Sequence, residues 1–293
     1  LKLAAIDIGS NAIRLQITKV LLQDGSQPIF KKMEYVRFPL RLGKDVFAKG
    51  EIGEEKKEKF IKLMRAFKLL MDLYEIDHYM ACATSAMRES VNGKEVVGIV
   101  KGNVGIEINI IDGDREASMI NKAISSSLTD DTYLHIDVGG GSTELNLYAG
   151  GDKIHSISFK MGSVRRLQHH DSPEVWTKME DWVKEHVKSR YGAVTAIGTG
   201  GNINKIYDLA VDKGEKIVSL TSVKTTINKV KAYSYDDRVN VLRLNPDRAD
   251  VIVPASEIYI SVMEWANSDK IIVPDVGLKD GILLELYQKH STS

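Results

Sequence analysis

The chain has 293 residues, of which 43% are apolar and 27% charged, the proportions of a globular protein with enough material for two domains. Forty basic and forty acidic residues cancel, so no global field draws in nucleic acid or an anionic membrane, and a polyanionic ligand must be held by local geometry. The single cysteine, Cys82, excludes an internal disulfide framework and a multi-cysteine metal site, and no apolar run approaches the ~20 residues of a membrane span. The stretch Leu1 to Leu15 carries Asp7, Asn11 and Arg14 and so lacks the unbroken apolar core of a signal peptide; a cytoplasmic protein is expected.

The predicted elements begin with three short strands, Lys2–Ile8, Arg14–Val20 and Ile29–Arg37, the first two joined by the polar turn Gly9-Ser10-Asn11. Apolar residues at three- and four-residue intervals (Phe60, Leu63, Met64, Phe67, Leu70, Met71, Tyr74) predict a helix over Glu54–Tyr74. A strand near His78–Ala83, a helix around Lys94–Lys101, a strand Ile106–Ile111 and a helix from Asp114 to Ser126 follow. The order then restarts. Strands Tyr133–Val138, Glu144–Tyr148 and Lys153–Phe159, a helix Pro173–Arg190 and a strand Ala193–Ile197 lead to helices near Asn202–Ala210, Ser222–Tyr233, Ala249–Ala266 and Lys279–Lys289. That alternation implies α/β layers with helices on mixed sheets. A local repeat supports a duplication: residues 6–15 (IDIGSNAIRL) align without gaps to residues 136–145 (IDVGGGSTEL), with Ile, Asp, Gly and Leu identical.

The strongest chemical signal is Asp137 to Glu144. Three consecutive glycines, Gly139, Gly140 and Gly141, let the backbone approach a ligand and aim amides at it, and Ser142 and Thr143 add hydroxyls: the chemistry of a phosphate cradle. Asp137 at the strand end is placed to hold Mg²⁺ directly or through water. A tight hairpin alone needs fewer glycines and no flanking acids. Asp7, Ser10 and Asn11 repeat that logic with less glycine, and alone they read equally as a turn satisfying its own backbone. Arg88 follows the small residues Thr84, Ser85 and Ala86, so its guanidinium fork can reach phosphate oxygens or an internal salt bridge. Gly198, Thr199, Gly200 and Gly201 close a strand and open a helix, a place for an anion. Lys160, Arg165, Arg166, His169 and His170 form one basic cluster, read either as a polyphosphate path or as a solvated surface. The seven histidines show no zinc spacing, and Cys82 reads as a small buried hydrophobe.

Taken together, residues 5–15 (AIDIGSNAIRL), 83–88 (ATSAMR), 111–117 (IDGDREA), 136–145, 198–201 (GTGG), 248–254 (RADVIVP) and 277–281 (GLKDG) resemble, in order, the successive motifs of the exopolyphosphatase / guanosine pentaphosphate phosphohydrolase (Ppx/GppA) family. The resemblance implies an α/β fold of two ribonuclease-H-like domains, that of the actin, Hsp70 and sugar-kinase superfold, facing a central cleft. The expected domains are 1–117 and 118–281, with a helix at about 282–293 packing back on the first. It further implies the short form of the family, without the C-terminal HD-type domain, and possible homodimers. By the same resemblance Glu116 is the catalytic base that orients water. The family's preceding glutamate is replaced here by Arg115. Mg²⁺, with Mn²⁺ as substitute, is the expected cofactor, held by Asp7, Asp137 and Glu144. Inorganic polyphosphate or a guanosine penta- or tetraphosphate is the expected ligand, with neither nucleic acid nor membrane as partner. Two competing readings remain open: a nucleotide-binding ATPase or kinase of the same superfold, and a sensor of alarmone or polyphosphate without turnover, which Arg115 favours.

Overall fold

The structure, a computed structural model, describes residues 1–22, 27–125, 128–210 and 217–291. It divides into two compact units, Leu1–Ala123 with Gly277–Ser293, and Ile124–Val276. The division falls inside one helix, and the last helix of the chain belongs to the first unit. The predicted helix end at Ser126 lies outside the described residues.

Unit 1 runs β1 (Lys2–Ile8), β2 (Ile13–Leu21), β3 (Ile29–Phe38), α1 (Leu42–Lys49), α2 (Glu54–Leu73), β4 (His78–Ala83), α3 (Ser85–Glu89), α4 (Gly93–Val104), β5 (Ile108–Ile110) and α5 (Gly113–Ile124). Its sheet has the order β3-β2-β1-β4-β5. The first three strands pair antiparallel, and β4 and β5 add in parallel after helical crossovers. The apolar stripe of α2 behaves as its spacing predicts: Phe60, Met64, Phe67 and Met71 are buried, and with Ala4, Ile6, Ile8, Ile13, Leu15 and Ile17 they form the core.

Unit 2 repeats this plan. It runs β6 (Tyr133–Val138), β7 (Thr143–Ala149), β8 (Asp152–Phe159), α6 (Ser163–Leu167), α7 (Pro173–Val183), a π-helical turn Lys184–Lys188, α8 (Ser189–Tyr191), β9 (Thr195–Thr199), α9 (Gly201–Ala210), β10 (Ile217–Ser219), α10 (Leu220–Ala232), α11 (Tyr235–Asn240), α12 (Pro246–Ala249), α13 (Ile252–Trp265) and β11 (Lys270–Ile272); α14 (Leu278–His290) then returns to unit 1. The sheet order β10-β11-β9-β6-β7-β8 carries the unit 1 order, with β10 added antiparallel at one edge. Both units therefore show three antiparallel strands followed by parallel additions, the ribonuclease-H-like arrangement that the family resemblance implies.

Of the long helices predicted in unit 2, one is interrupted. The segment predicted near Ala249–Ala266 forms the single helix α13, with Pro254 in its first turn, where the missing N–H has no intrahelical partner to lose. The helix from Pro173 starts on the Ser172 side chain, which accepts from the Val175 amide, but loosens into the π turn over Lys184–Lys188. Among the described residues no helix is long and apolar enough to cross a membrane.

Candidate active site

In unit 1 the C-terminal ends of the parallel strands β1, β4 and β5 bring the predicted residues together, the end of an open α/β sheet where ligands bind. The β1–β2 turn closes through the Gly9 amide on the Ala12 carbonyl (3.2 Å). At the end of β4 the Thr84 amide bonds to Ile8 O (3.1 Å), which draws α3 alongside the turn, and the buried hydroxyls of Ser10 and Ser85 share a hydrogen bond of 2.8 Å. Asn11 O accepts from the Arg41 amide (2.9 Å) and Ser10 O from the Gly43 amide (2.8 Å), so the start of α1 seats on the same turn. Arg88 donates from Nη1 to Ile111 O (2.6 Å), tying α3 to the loop that opens α5. That loop is capped by Asp112, whose Oδ1 accepts from the Arg115 amide (2.7 Å). Glu116, half-buried, lies in the first turn of α5. The Cys82 thiol reports the electrostatics of this strand end. Burial first, then the charges of Asp7, Glu285 and Glu116, push its pKa up to about 12 against the opposing pull of Arg115.

The four-residue turn fixes the register, and register decides the charge of each hairpin. Asp7 pairs across the strands with Arg14, and its Oδ2 accepts from Arg14 Nη1 at 2.7 Å. Burial works against the Arg14 charge, but Asp7 and Tyr35 outweigh it and hold the guanidinium above its ordinary range. In unit 2 the matching pair is Asp137 opposite Glu144. These carboxylates share a sheet face with only 9% and 1% of their surfaces exposed. Glu144 Oε1 accepts from Ser158 Oγ at 2.8 Å. Two like charges directly opposite one another repel, and burial sharpens the repulsion. This donor set fits a divalent cation. Asp7, the third expected ligand, is paired with Arg14. Among the described residues no group of three or more His, Cys, Asp or Glu is arranged to hold a metal, so an ion at Asp137 and Glu144 would keep water or phosphate oxygens for its other positions.

The glycine turn of unit 2 is held from behind. Gly139 O accepts from the Ser163 amide (2.9 Å) and Oγ (3.2 Å), Gly140 O from the amides of Val164 (2.8 Å) and Arg165 (3.1 Å), and Gly141 O from Arg165 Nε (2.9 Å). In a trans peptide the N–H points opposite the carbonyl. Tethering these carbonyls to α6 therefore turns the amides of Gly140, Gly141 and Ser142 away from it, the arrangement an anion needs. Gly162 makes the contact possible: a Cβ there would lie 2.5 Å from Gly140 C and Gly141 N. At the end of β9, Gly200 has φ +111°, a conformation natural to glycine, and a Cβ on it would lie 3.2 Å from Asp137 Oδ1. The Tyr259 hydroxyl donates to Thr199 O and accepts from the Val138 amide (3.2 Å), joining the two loops; burial first, then Asp137, raises its pKa well above the usual range.

The structure separates other expected residues from the anion-facing set. Thr143, fully buried, donates its hydroxyl to Met161 O (2.6 Å), and Thr199 Oγ1 is engaged by His135 Nε2 (2.8 Å). The basic cluster is divided: Arg165 is a strut of the glycine turn, while Arg166 pairs with Glu257 and Asp171 and stacks over Trp176. Arg115 turns onto Glu285 of α14, which also faces Lys122. Sequence reasoning missed Arg14 and Tyr259, and it read Arg165 as part of the basic cluster rather than as a support of the glycine turn. Only Arg14 carried a readable signal, since a four-residue turn after Ile8 sets Asp7 opposite it.

The comparisons agree with this architecture. A bifunctional 3-dehydroquinate synthase/phosphatase of Fusobacterium nucleatum is 31% identical, the match covering 96% of this chain and 46% of the relative. A guanosine-5'-triphosphate,3'-diphosphate pyrophosphatase of Photobacterium profundum is 23% identical over 98% of this chain and 59% of its own length. The chain thus spans about half the length of the curated relatives it matches. Among solved structures, the Aquifex aeolicus Ppx/GppA family member superposes with TM-score 0.77 at 25% identity, covering 100% of this chain and 99% of that one. An exopolyphosphatase from Cytophaga hutchinsonii gives TM-score 0.86 at 22% identity, covering 99% and 98%, and shares the fold. The model of the Ppx/GppA phosphatase family matches residues 21–290, and the chain belongs to that family.

Proposed function

We propose that the chain is a phosphoanhydride hydrolase that releases terminal orthophosphate from inorganic polyphosphate, from guanosine pentaphosphate, or from both. The observation that carries this reading is the glycine turn tethered to α6, with its amides turned outward beside the buried pair Asp137 and Glu144. The amides of Gly140, Gly141 and Ser142 receive phosphate oxygens, with Gly139 closing the turn and the Gly198–Gly201 segment lining Asp137. Asp137 and Glu144 hold Mg²⁺, or Mn²⁺ in its place, which neutralises charge on the phosphoryl oxygens when bound. In unit 1, Arg88 offers its fork to phosphate, Ser10 and Asn11 shape the turn, and Asp7 is kept in place by Arg14. Glu116 accepts a proton from the attacking water and orients it. The names of the relatives, one a guanosine pentaphosphate pyrophosphatase and one an exopolyphosphatase, support the substrate class. Arg115, whose place in the sequence favours the reading in which ligand binds without turnover, pairs with Glu285 of α14.

The test is orthophosphate release from tripolyphosphate, long-chain polyphosphate, guanosine pentaphosphate and ATP, each with Mg²⁺, for the wild type and Glu116→Gln. Loss of a general base costs roughly 10²- to 10⁴-fold in turnover, with unfolding temperature unchanged. A folded Glu116→Gln protein with wild-type turnover refutes the assignment of Glu116. No release from any of the four substrates refutes the hydrolase.

A further inference from the structure

Unit 2 contains a line of polar side chains that the reaction as described does not use. His135 sits in the middle of β6, between Leu134 and Ile136, with no exposed surface. Its Nδ1 lies 3.1 Å from Asn146 Nδ2 and its Nε2 lies 2.8 Å from Thr199 Oγ1. Asn146, also fully buried, accepts at Oδ1 from Ser156 Oγ at 2.7 Å. The four residues stand on four neighbouring strands, β8, β7, β6 and β9, and the first three are register partners.

The orientation of the Asn146 amide, with Oδ1 toward Ser156, orders the donors. With Ser156 donating to Oδ1, the Asn146 amide presents Nδ2–H₂ to the imidazole, and an NH₂ group only donates. Nδ1 must accept. A neutral imidazole then carries its proton on Nε2, which donates to Thr199 Oγ1. Every bond of the line runs the same way, from the exposed edge strand toward the loop Gly198–Gly201. Thr199 is thereby held twice, through its hydroxyl by His135 and through its carbonyl by Tyr259. The next residue, Gly200, is the one packed against Asp137 Oδ1, and Thr199 is the register partner of Asp137.

We propose that His135 is a positioning residue, fixed as its Nε2–H tautomer by Asn146, that sets Thr199 and so places the Gly198–Gly201 loop against Asp137 for phosphate binding. This rests on the hydrolase reading above, and the role is static: His135 neither touches substrate nor moves a proton. A leucine could fill the space but leaves Asn146 Nδ2 and Thr199 Oγ1 facing an apolar side chain. A glutamine offers an amide oxygen to Asn146 and an amide NH₂ to Thr199, and so restores both bonds.

The experiment uses the full chain as wild type, His135→Gln, His135→Leu, Thr199→Val and the double variant His135→Leu with Thr199→Val. In a long-range ¹H–¹⁵N correlation of the imidazoles, His135 is the ring whose signals vanish in His135→Gln. It is expected as the Nε2–H form, the tautomer that the contacts with Asn146 and Thr199 select. An Nδ1–H ring overturns the proposal. In orthophosphate release from tripolyphosphate with Mg²⁺, His135→Leu and Thr199→Val are each expected to raise KM about tenfold, the scale of one buried hydrogen bond, with kcat within about threefold. The double variant should lose no more than either single one, since both break the same contact, and His135→Gln should return to within about twofold of wild type. Unchanged KM, additive losses, or a fall in folded fraction alone overturns it. Thr199→Val keeps the test open if His135→Leu does not fold. Should the wild type release no phosphate, the hydrolase reading fails separately, and the same tenfold change is then read in the Kd for tripolyphosphate by calorimetry; absence of that change, or of binding, overturns the proposal.

Discussion

Gly162→Ala isolates the mechanical support of the glycine turn. The backbone of Gly162 is extended, with φ −155°, so alanine adopts it freely and only the added methyl matters. That methyl would sit 2.5 Å from Gly140 C and Gly141 N and 2.6 Å from Gly140 O, nearly an ångström inside ordinary contact. The obstructing atoms are backbone, so no rotamer change relieves the overlap; the glycine turn or α6 must move. Overpacking of this kind costs about 1–3 kcal/mol, which for a unit of this size lowers the unfolding temperature by roughly 2–12 °C. The functional loss should be larger, because a displacement near 1 Å at a site that binds and aligns phosphate can cost ~10²-fold. Differential scanning calorimetry and phosphate release from tripolyphosphate, run on the same preparation, read both. A Gly162→Ala protein that melts and turns over like the wild type would refute the claim that the contact between α6 and the turn positions the amides.

Other expectations follow from the same geometry. Gly98 and Gly102 lie in α4 with open space where a Cβ would go, so Gly98→Ala and Gly102→Ala should each stabilise by ~0.4–1 kcal/mol in denaturant titrations; destabilisation would show that the helix is crowded there. Cys82, buried and with its pKa raised to about 12, should resist an aromatic disulfide reagent at about pH 8 in the native protein and react once in denaturant. Rapid labelling of native protein would contradict that environment. Arg115→Ala removes a half-exposed ion pair with Glu285 and should cost less than about 1 kcal/mol in thermal unfolding. Turnover should change little; a loss of tenfold or more would place Arg115 in the reaction.

What the sequence showed clearly was periodic or duplicated. The helix over Glu54–Leu73 was legible because its apolar stripe recurs through about four turns, and the two hairpins because an Asp, a Gly and a Leu recur at fixed spacing. The short helices Leu42–Lys49 and Ser163–Leu167 were not, since neither is long enough to display a period; both are held chiefly by contacts with turns distant in sequence. The candidate site divides in the same way. Asp137, Glu144 and the three glycines announce themselves by type and adjacency. Arg165 showed only as one member of a basic cluster, and Tyr259 is an ordinary residue until the fold joins it to Val138 and Thr199. His135 is the extreme case, one imidazole in an apolar strand whose meaning comes entirely from neighbours on the adjoining strands.

The discontinuity of unit 1 bears on how the chain is made. Helix α14 packs on β1, β2 and β4, yet it is synthesised after all of unit 2. At about 5–20 residues per second, roughly 15–55 s separate the emergence of β1 from that of α14. Alternation along β1 puts Leu3 and Ala5 on the face opposite Ala4, Ile6 and Ile8, and through that interval the nascent sheet lacks the cover α14 will give it. Unit 2, whose segments are contiguous, can complete its own core without waiting for a distant segment. The sheet of unit 1 gains its cover only when α14, more than a hundred residues beyond its other helices, has been made.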